Sequence, residues 1–230
     1  PSRLGRGLER LTHPFGAAIA SVVPKGLVET VLKGLDRAAG APRLVQFDHD
    51  AADLEAARQA ARKVSRAARS VSATTGAAAG LGGALSMSAD IPATIAIALR
   101  AIRDTGRAYG YTGDGPAEKL FRLQILELAA VDEPEARRDR IAALEAALGP
   151  AGELVHADHE HIAPIVDQAV ERISRAIAFT SFRSRAGMVV PLVGSIVGGL
   201  VNSSFQEDVG KAARFAFQAR RLKGDASAAA

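Results

Sequence analysis

The sequence predicts an all-α protein: a single compact multi-helix domain over residues 1–222 with two Gly-rich apolar helical segments, followed by a disordered tail at 223–230. Three observations carry this. Apolar residues recur at steps of three and four along almost the whole chain, the spacing that builds one face of a helix. Strand signals are confined to Val189-Val190 and Ile196-Val197, too short to oppose the surrounding pattern. Breaks such as Gly40-Ala41-Pro42, Asp132-Glu133-Pro134 and Gly149-Pro150 cut the chain into pieces of helix length.

The elements follow in order. Leu27, Val31 and Leu35 form a helical face after Pro24. Asp48 or Asp50 then caps a long helix whose buried face is Leu54, Ala57, Ala61, Val64, Ala68 and Val71. The first apolar segment, Ser70 to Ala89, carries no charge and contains Gly76, Gly80, Gly82 and Gly83. Asp90 is expected to N-cap the next helix, with Pro92 in its first turn, where the missing N–H costs nothing. That helix places Ile91, Ile95, Leu99 and Ile102 on one face and Arg100, Arg103 and Arg107 toward its C-terminus, where cations suit the dipole; Gly110 stops it. The helix from Ala117 to Ala130 is apolar in most directions and is expected at the centre. The helix carrying Ile141, Leu144 and Leu148 is polar enough for the surface. After a polar, His-rich stretch, Ile165, Ala169, Ile173 and Ile177 resume the spacing. The second apolar segment, Ala186 to Gln206, contains Pro191, Gly194, Gly198, Gly199 and Asn202, and a last helix carries Phe205, Val209, Ala213 and Phe217 to about Leu222.

Composition bounds the function. Of 230 residues 48% are hydrophobic, ample for a core, but only 4% are aromatic and Trp is absent, so small aliphatic side chains must fill the interior through close helix packing. The absence of Cys excludes disulfides and thiolate metal sites. The formal charge of +4 fits either a solvated basic surface or an anionic partner. Charges at Arg3, Arg6, Glu9 and Arg10 interrupt the first residues, and no signal peptide is expected.

Each apolar segment approaches the roughly 20 residues of a membrane-spanning helix. Each also holds a Gly-x-x-x-Gly, Gly76/Gly80 and Gly194/Gly198, which lets backbones touch. Ser, Thr and Gly hold their hydrophobicity below that of a span. Core packing through glycine, or contact with an acyl chain, remain the readings. The stripe Arg58, Arg62, Arg66 and Arg69 leads into the first segment, and its guanidinium forks suit phosphate oxygens; a solvated helix face is the plainer alternative. No aromatic residues interleave with the basic ones and no DNA-binding motif appears, so nucleic acid is not expected. His156, Asp158, His159, Glu160 and His161 lack the i, i+4 spacing of a zinc helix, so no metal site is expected. Gly80-Leu81-Gly82-Gly83 is neither a dinucleotide nor a phosphate loop, and Gly194-Ser195-Ile196-Val197-Gly198 misplaces the serine of a nucleophile elbow. No catalytic residues and no cofactor are expected.

The stretch from Thr75-Gly76-Ala77-Ala78-Ala79-Gly80-Leu81-Gly82-Gly83 to Ala89-Asp90-Ile91-Pro92, then Tyr109-Gly110-Tyr111, then Val190-Pro191-Leu192-Val193-Gly194 with Gly198, Gly199 and Asn202, resembles the EcsC family over residues 20–222. The resemblance implies a bacterial helical protein with no established biochemical activity and no catalytic residues. Taken together, the expectation is a non-enzymatic, cytoplasmic protein, peripheral to the membrane, that binds a fatty acyl chain or phospholipid. Gly76, Gly80, Gly83, Asp90, Pro92, Gly194, Gly198 and Asn202 would frame the ligand, and Arg58, Arg62, Arg66 and Arg69 would hold an anionic headgroup. The alternative is a scaffolding protein whose glycine faces pack against a membrane partner such as a transporter.

Overall fold

The computed structural model describes residues 25–81, 87–131, 133–155 and 191–229. These residues include six helices: α1 (Lys25–Gly40), α2 (Leu54–Leu81), α3 (Met87–Ala108), α4 (Pro116–Ala130), α5 (Pro134–Ala146) and α6 (Pro191–Ala228). Among the described residues there is no strand, and a lone bridge joins Leu148 to Leu154.

The architecture is organised by α2 and α6, which pack along one another. Arg58 meets Gln218, Ser65 meets Arg214, and Arg69 meets Glu207, so the two helices run antiparallel. α3 lies against both and runs parallel to α6, since Gln206 reaches Thr94 and Phe217 packs at Gly106. α1 covers α3, and α4 covers the C-terminal half of α6 and carries α5.

The face anticipated for α2 is the buried one: Ala57, Ala61, Val64 and Ala68 are fully enclosed, although Val71 at its end is exposed. α4 is central, with Leu120, Phe121, Leu123, Ile125, Leu126 and Leu128 all buried, whereas α5 buries Leu144 alone. Close approach uses glycine. A Cβ on Gly106 would lie 2.7 Å from the Phe217 ring, and one on Gly210 would lie 2.5 Å from Ser65 Oγ.

Helix ends correct several expectations. The cap of α2 is Asp53, whose Oδ1 accepts from the amides of Glu55 (2.9 Å) and Ala56 (3.0 Å). Asp50 instead closes the preceding turn through Ala52 N–H at 2.8 Å, and Asp48 lies farther upstream. Because α3 already begins at Met87, Asp90 stands in its first turn and Pro92 in its second; Asp90 is not the residue before the helix. α3 does end at Gly110, with φ +89°. There the amide of Tyr111 donates to Gly106 O (2.9 Å) and that of Gly110 to Arg107 O (3.1 Å), a Schellman closure that a glycine adopts in the left-handed region without strain.

α6 runs unbroken from Pro191, so the second apolar segment from Pro191 to Gln206 and the last helix are one element, and residues 186–190 of that segment lie outside the described residues. It also continues to Ala228, through most of the stretch expected as a disordered tail. Lys223 Nζ holds Leu148 O at 3.1 Å, and Arg221 pairs with Asp225 at 2.8 Å, which ties that turn down.

Arg100 and Arg103, placed by sequence near the end of their own helix, serve the end of α1 instead. The Arg103 guanidinium is wholly buried and donates to the carbonyls of Ala38, Ala39, Ala41 and Pro42. Arg100 Nε reaches Pro42 O at 2.7 Å. The charge of Arg103 is balanced by Asp104, also fully buried, at 2.7 Å, and Asp104 Oδ2 accepts from Leu44 N–H at 2.7 Å. The orphan carbonyls that any helix leaves at its C-terminus are thus met by a neighbouring helix.

Candidate functional site

Where the N-terminal half of α2 faces the C-terminal half of α6, the surface opens into a pocket of about 470 Å³. It is lined by Arg58 and Arg62 from α2, by Tyr109 from the turn after α3, and by Arg214, Phe215, Gln218, Ala219 and Leu222 from α6. The volume lies in the range of small-molecule sites, roughly 300–1,000 Å³.

The local fold dictates each position. Arg58 and Arg62 are one helical turn apart, so they stack on the same side of α2. Phe215, Ala219 and Leu222 are spaced by four and three and form one stripe of α6. Phe215 is 42% exposed and Leu222 46%, unusual for side chains of that size. Tyr109 arrives from below: the Schellman closure drives the chain back at the end of α3 and leaves its ring 1% exposed under the groove.

Three guanidinium groups line the pocket and no carboxylate does, among the described residues. Arg58 donates from Nε to Gln218 Oε1 at 3.2 Å and lies 3.6 Å from Glu55 at the rim. Arg214 donates to Ser65 Oγ at 2.6 Å, which anchors it across the helix pair. The acids farther along α6 are taken up as well: Glu207 by Lys211 at 3.1 Å and Arg69 at 3.3 Å, and Asp208 by Lys211 at 3.4 Å. Arg62 forms no ion pair among the described residues and is exposed to solvent. Burial lowers the pKa of Arg214, with the charge of Arg62 acting in the same direction.

The Tyr109 hydroxyl is buried and has no hydrogen-bond partner among the described residues. Burial raises its pKa, while the charges of Arg58, Arg214 and Arg62 oppose that rise. The phenol therefore keeps its proton across the neutral range and is a donor without an acceptor, within electrostatic reach of three cations. A buried unpaired hydroxyl is destabilising, and a ligand oxygen would satisfy it. One wall of the pocket is thus cationic and hydrogen-bonding, and the other is apolar.

The anticipated site residues separate into two groups. Arg58 and Arg62 line the pocket, but Arg69 is engaged with Glu207 and Arg66 is exposed farther along α2. Gly76 and Gly80 lie near the C-terminal end of α2, and Gly194, Gly198 and Asn202 lie near the N-terminal end of α6. In an antiparallel pair these are the same end, opposite the pocket. At about 1.5 Å per residue, the separation along α2 is roughly 25 Å. Asp90 and Pro92 are on the first two turns of α3. Gly83 and the cluster from His156 to His161 lie outside the described residues. No group of three potential metal ligands occurs among the described residues.

Sequence reasoning missed Tyr109, Arg214, Phe215, Gln218, Ala219 and Leu222 as pocket residues. Phe215 carries the one usable signal: it falls off the Val209, Ala213, Phe217 face, and so had to be exposed.

No helix among the described residues is long and apolar enough to cross a membrane. The EcsC protein family profile matches residues 4–222. An uncharacterized protein of Bacillus subtilis (strain 168), YdbA, is 24% identical over 147 residues, which covers 62% of this chain and 49% of that protein. The chain therefore spans about half the length of this curated relative. No solved structure matches.

Proposed function

We propose that this chain, which belongs to the EcsC protein family, is a non-enzymatic protein that binds an anionic amphiphile, a fatty acid or phospholipid, in the pocket between α2 and α6. The observation that carries the reading is the pairing of two unlike walls. Arg58, Arg62 and Arg214 offer charge to a headgroup, and the exposed faces of Phe215 and Leu222 offer contact to the first methylenes of a chain. Each buried methylene adds about 0.8 kcal/mol. A soluble polar ligand would leave the apolar wall wet, and an uncharged hydrocarbon would strand the arginines. The open pocket and its basic rim suit a protein working peripherally at an anionic membrane on the cytoplasmic side, where each nearby Arg or Lys contributes about 1 kcal/mol.

The test is native mass spectrometry of the purified chain, followed by solvent extraction and lipid analysis. A stoichiometric acyl lipid, lost in an Arg62→Gln, Arg214→Gln double variant, is the expected result. A scaffolding role draws on the same exposure of Phe215 and Leu222, which would then pack on a membrane partner. A clean apo mass that stays unchanged after incubation with fatty acids and liposomes would favour that role and remove the lipid reading.

A further inference from the structure

The donors in the pocket outnumber what a simple acid can accept. Each guanidinium presents a planar fork, and Arg58, Arg62 and Arg214 bring three. Arg58 and Arg214 already engage part of theirs with Gln218 and Ser65, but the Tyr109 hydroxyl adds a donor that no described residue uses. The charges point the same way. Glu55, 3.6 Å from Arg58, offsets about one cation, and Glu207 is occupied by Lys211 and Arg69, so about two positive charges face the pocket uncompensated.

A carboxylate has two oxygens and one charge. A phosphodiester also carries one charge on two free oxygens. A phosphate monoester presents three terminal oxygens and a charge of about −1.5 to −2 at neutral pH. Resting on the lipid-binding reading above, we propose that the headgroup of the ligand is a phosphate monoester, as in phosphatidate, and that Tyr109 is the residue that distinguishes it from diester and carboxylate lipids. The phenol lies under the groove, 1% exposed, where it meets a third oxygen that a diester would have esterified. Free inorganic phosphate shares this chemistry, and the apolar wall of Phe215, Ala219 and Leu222 is what selects the acylated form.

The experiment is calorimetric titration of the full chain with four soluble probes: dioctanoyl phosphatidate, dioctanoyl phosphatidylglycerol, dioctanoylglycerol and inorganic phosphate. Wild type is expected to bind one phosphatidate about tenfold or more tighter than phosphatidylglycerol or phosphate, with dioctanoylglycerol negligible. Loss of one hydrogen bond to a charged acceptor corresponds to about tenfold in affinity. Tyr109→Phe should therefore weaken phosphatidate about tenfold, leave phosphatidylglycerol unchanged and preserve thermal stability. Arg62→Gln, at an exposed helix position safe for folding, should weaken both phospholipids. Equal affinity of wild type for phosphatidate and phosphatidylglycerol, or a Tyr109→Phe variant with wild-type selectivity, would overturn the monoester assignment and leave lipid binding standing. Phosphate binding as tightly as phosphatidate would overturn the role of the apolar wall. No binding of any amphiphile would remove the proposed function itself.

Discussion

Replacing Arg103 by Met tests how the end of α1 is held. The substitution keeps the volume and flexibility of the side chain but removes its charge and every donor. The carbonyls of Ala38, Ala39 and Ala41 lose their Arg103 donor, and Pro42 O keeps only Arg100. Asp104, fully buried, loses an ion pair at 2.7 Å and keeps Leu44 N–H and a long contact to Arg107 at 4.0 Å. Breaking a buried pair from one side costs about 3–5 kcal/mol, because the remaining charge is stranded. With whole-domain stability of about 5–15 kcal/mol, that is a large share. The assay is urea unfolding followed by far-ultraviolet circular dichroism, on Arg103→Met, Asp104→Asn and the double variant. The single Arg103 variant should lose about 3 kcal/mol or more. The double should cost less than the two singles summed, by about 1–3 kcal/mol, because the neutral amide that replaces the carboxylate needs no countercharge. An Arg103→Met protein within about 1 kcal/mol of wild type, or strictly additive costs, would refute the view that this pair is one coupled unit.

Gly106→Ala places a methyl 2.7 Å from the buried Phe217 ring, itself packed edge-on to Phe121 at 5.5 Å. The strain of about 1–3 kcal/mol exceeds the helix-propensity gain of about 1 kcal/mol, so the melting temperature should fall. Asp53→Ala removes both cap bonds at the start of α2 and should cost about 1 kcal/mol in urea unfolding, whereas Asp48→Ala should be neutral.

Much of the fold could be read from spacing. The buried face of α2, the all-round burial of α4 and the surface position of α5 follow from periodicity, which reports on one helix at a time; of the Ile141, Leu144 and Leu148 expected on α5, only Leu144 is buried within the helix. What spacing does not contain is which helix a polar group serves. Arg103 reads as a cation suited to the C-terminal end of α3, and only the packing of α1 reveals it as the group that closes α1. The expected cap was Asp48 or Asp50, and the residue that caps is Asp53; all three precede the same helix, and loop geometry decides among them. The pocket was half legible. Arg58 and Arg62 stood out as a stripe, but their counterparts Tyr109 and Arg214 arrive from a turn and a helix far along the chain, and no local pattern joins them. The glycine segments stand out by composition and by Gly-x-x-x-Gly spacing, neither of which says where the arginines lie, and the antiparallel pairing puts Gly76, Gly80, Gly194 and Gly198 at the far end of the helices that carry the arginines.

The pairing of α2 with α6 also sets a timetable. The hydroxyl of Ser65 meets its partner Arg214 only 149 residues later, an interval on the order of ten seconds at ribosomal speed. Throughout that interval α3 is the only described neighbour that can cover α2, so the side of α2 that α6 will take stays open, and the later helix must displace whatever occupies it. A face of small side chains suits such a wait, because it offers little grip to a wrong partner, and its hold becomes tight only when Gly210 lets a second backbone come close. The nascent chain is thus exposed to chaperones and to membranes for longer than a protein built from neighbouring hairpins. A circular permutation that brings α2 and α6 closer in sequence would lower the cost of closing that long loop and should speed folding.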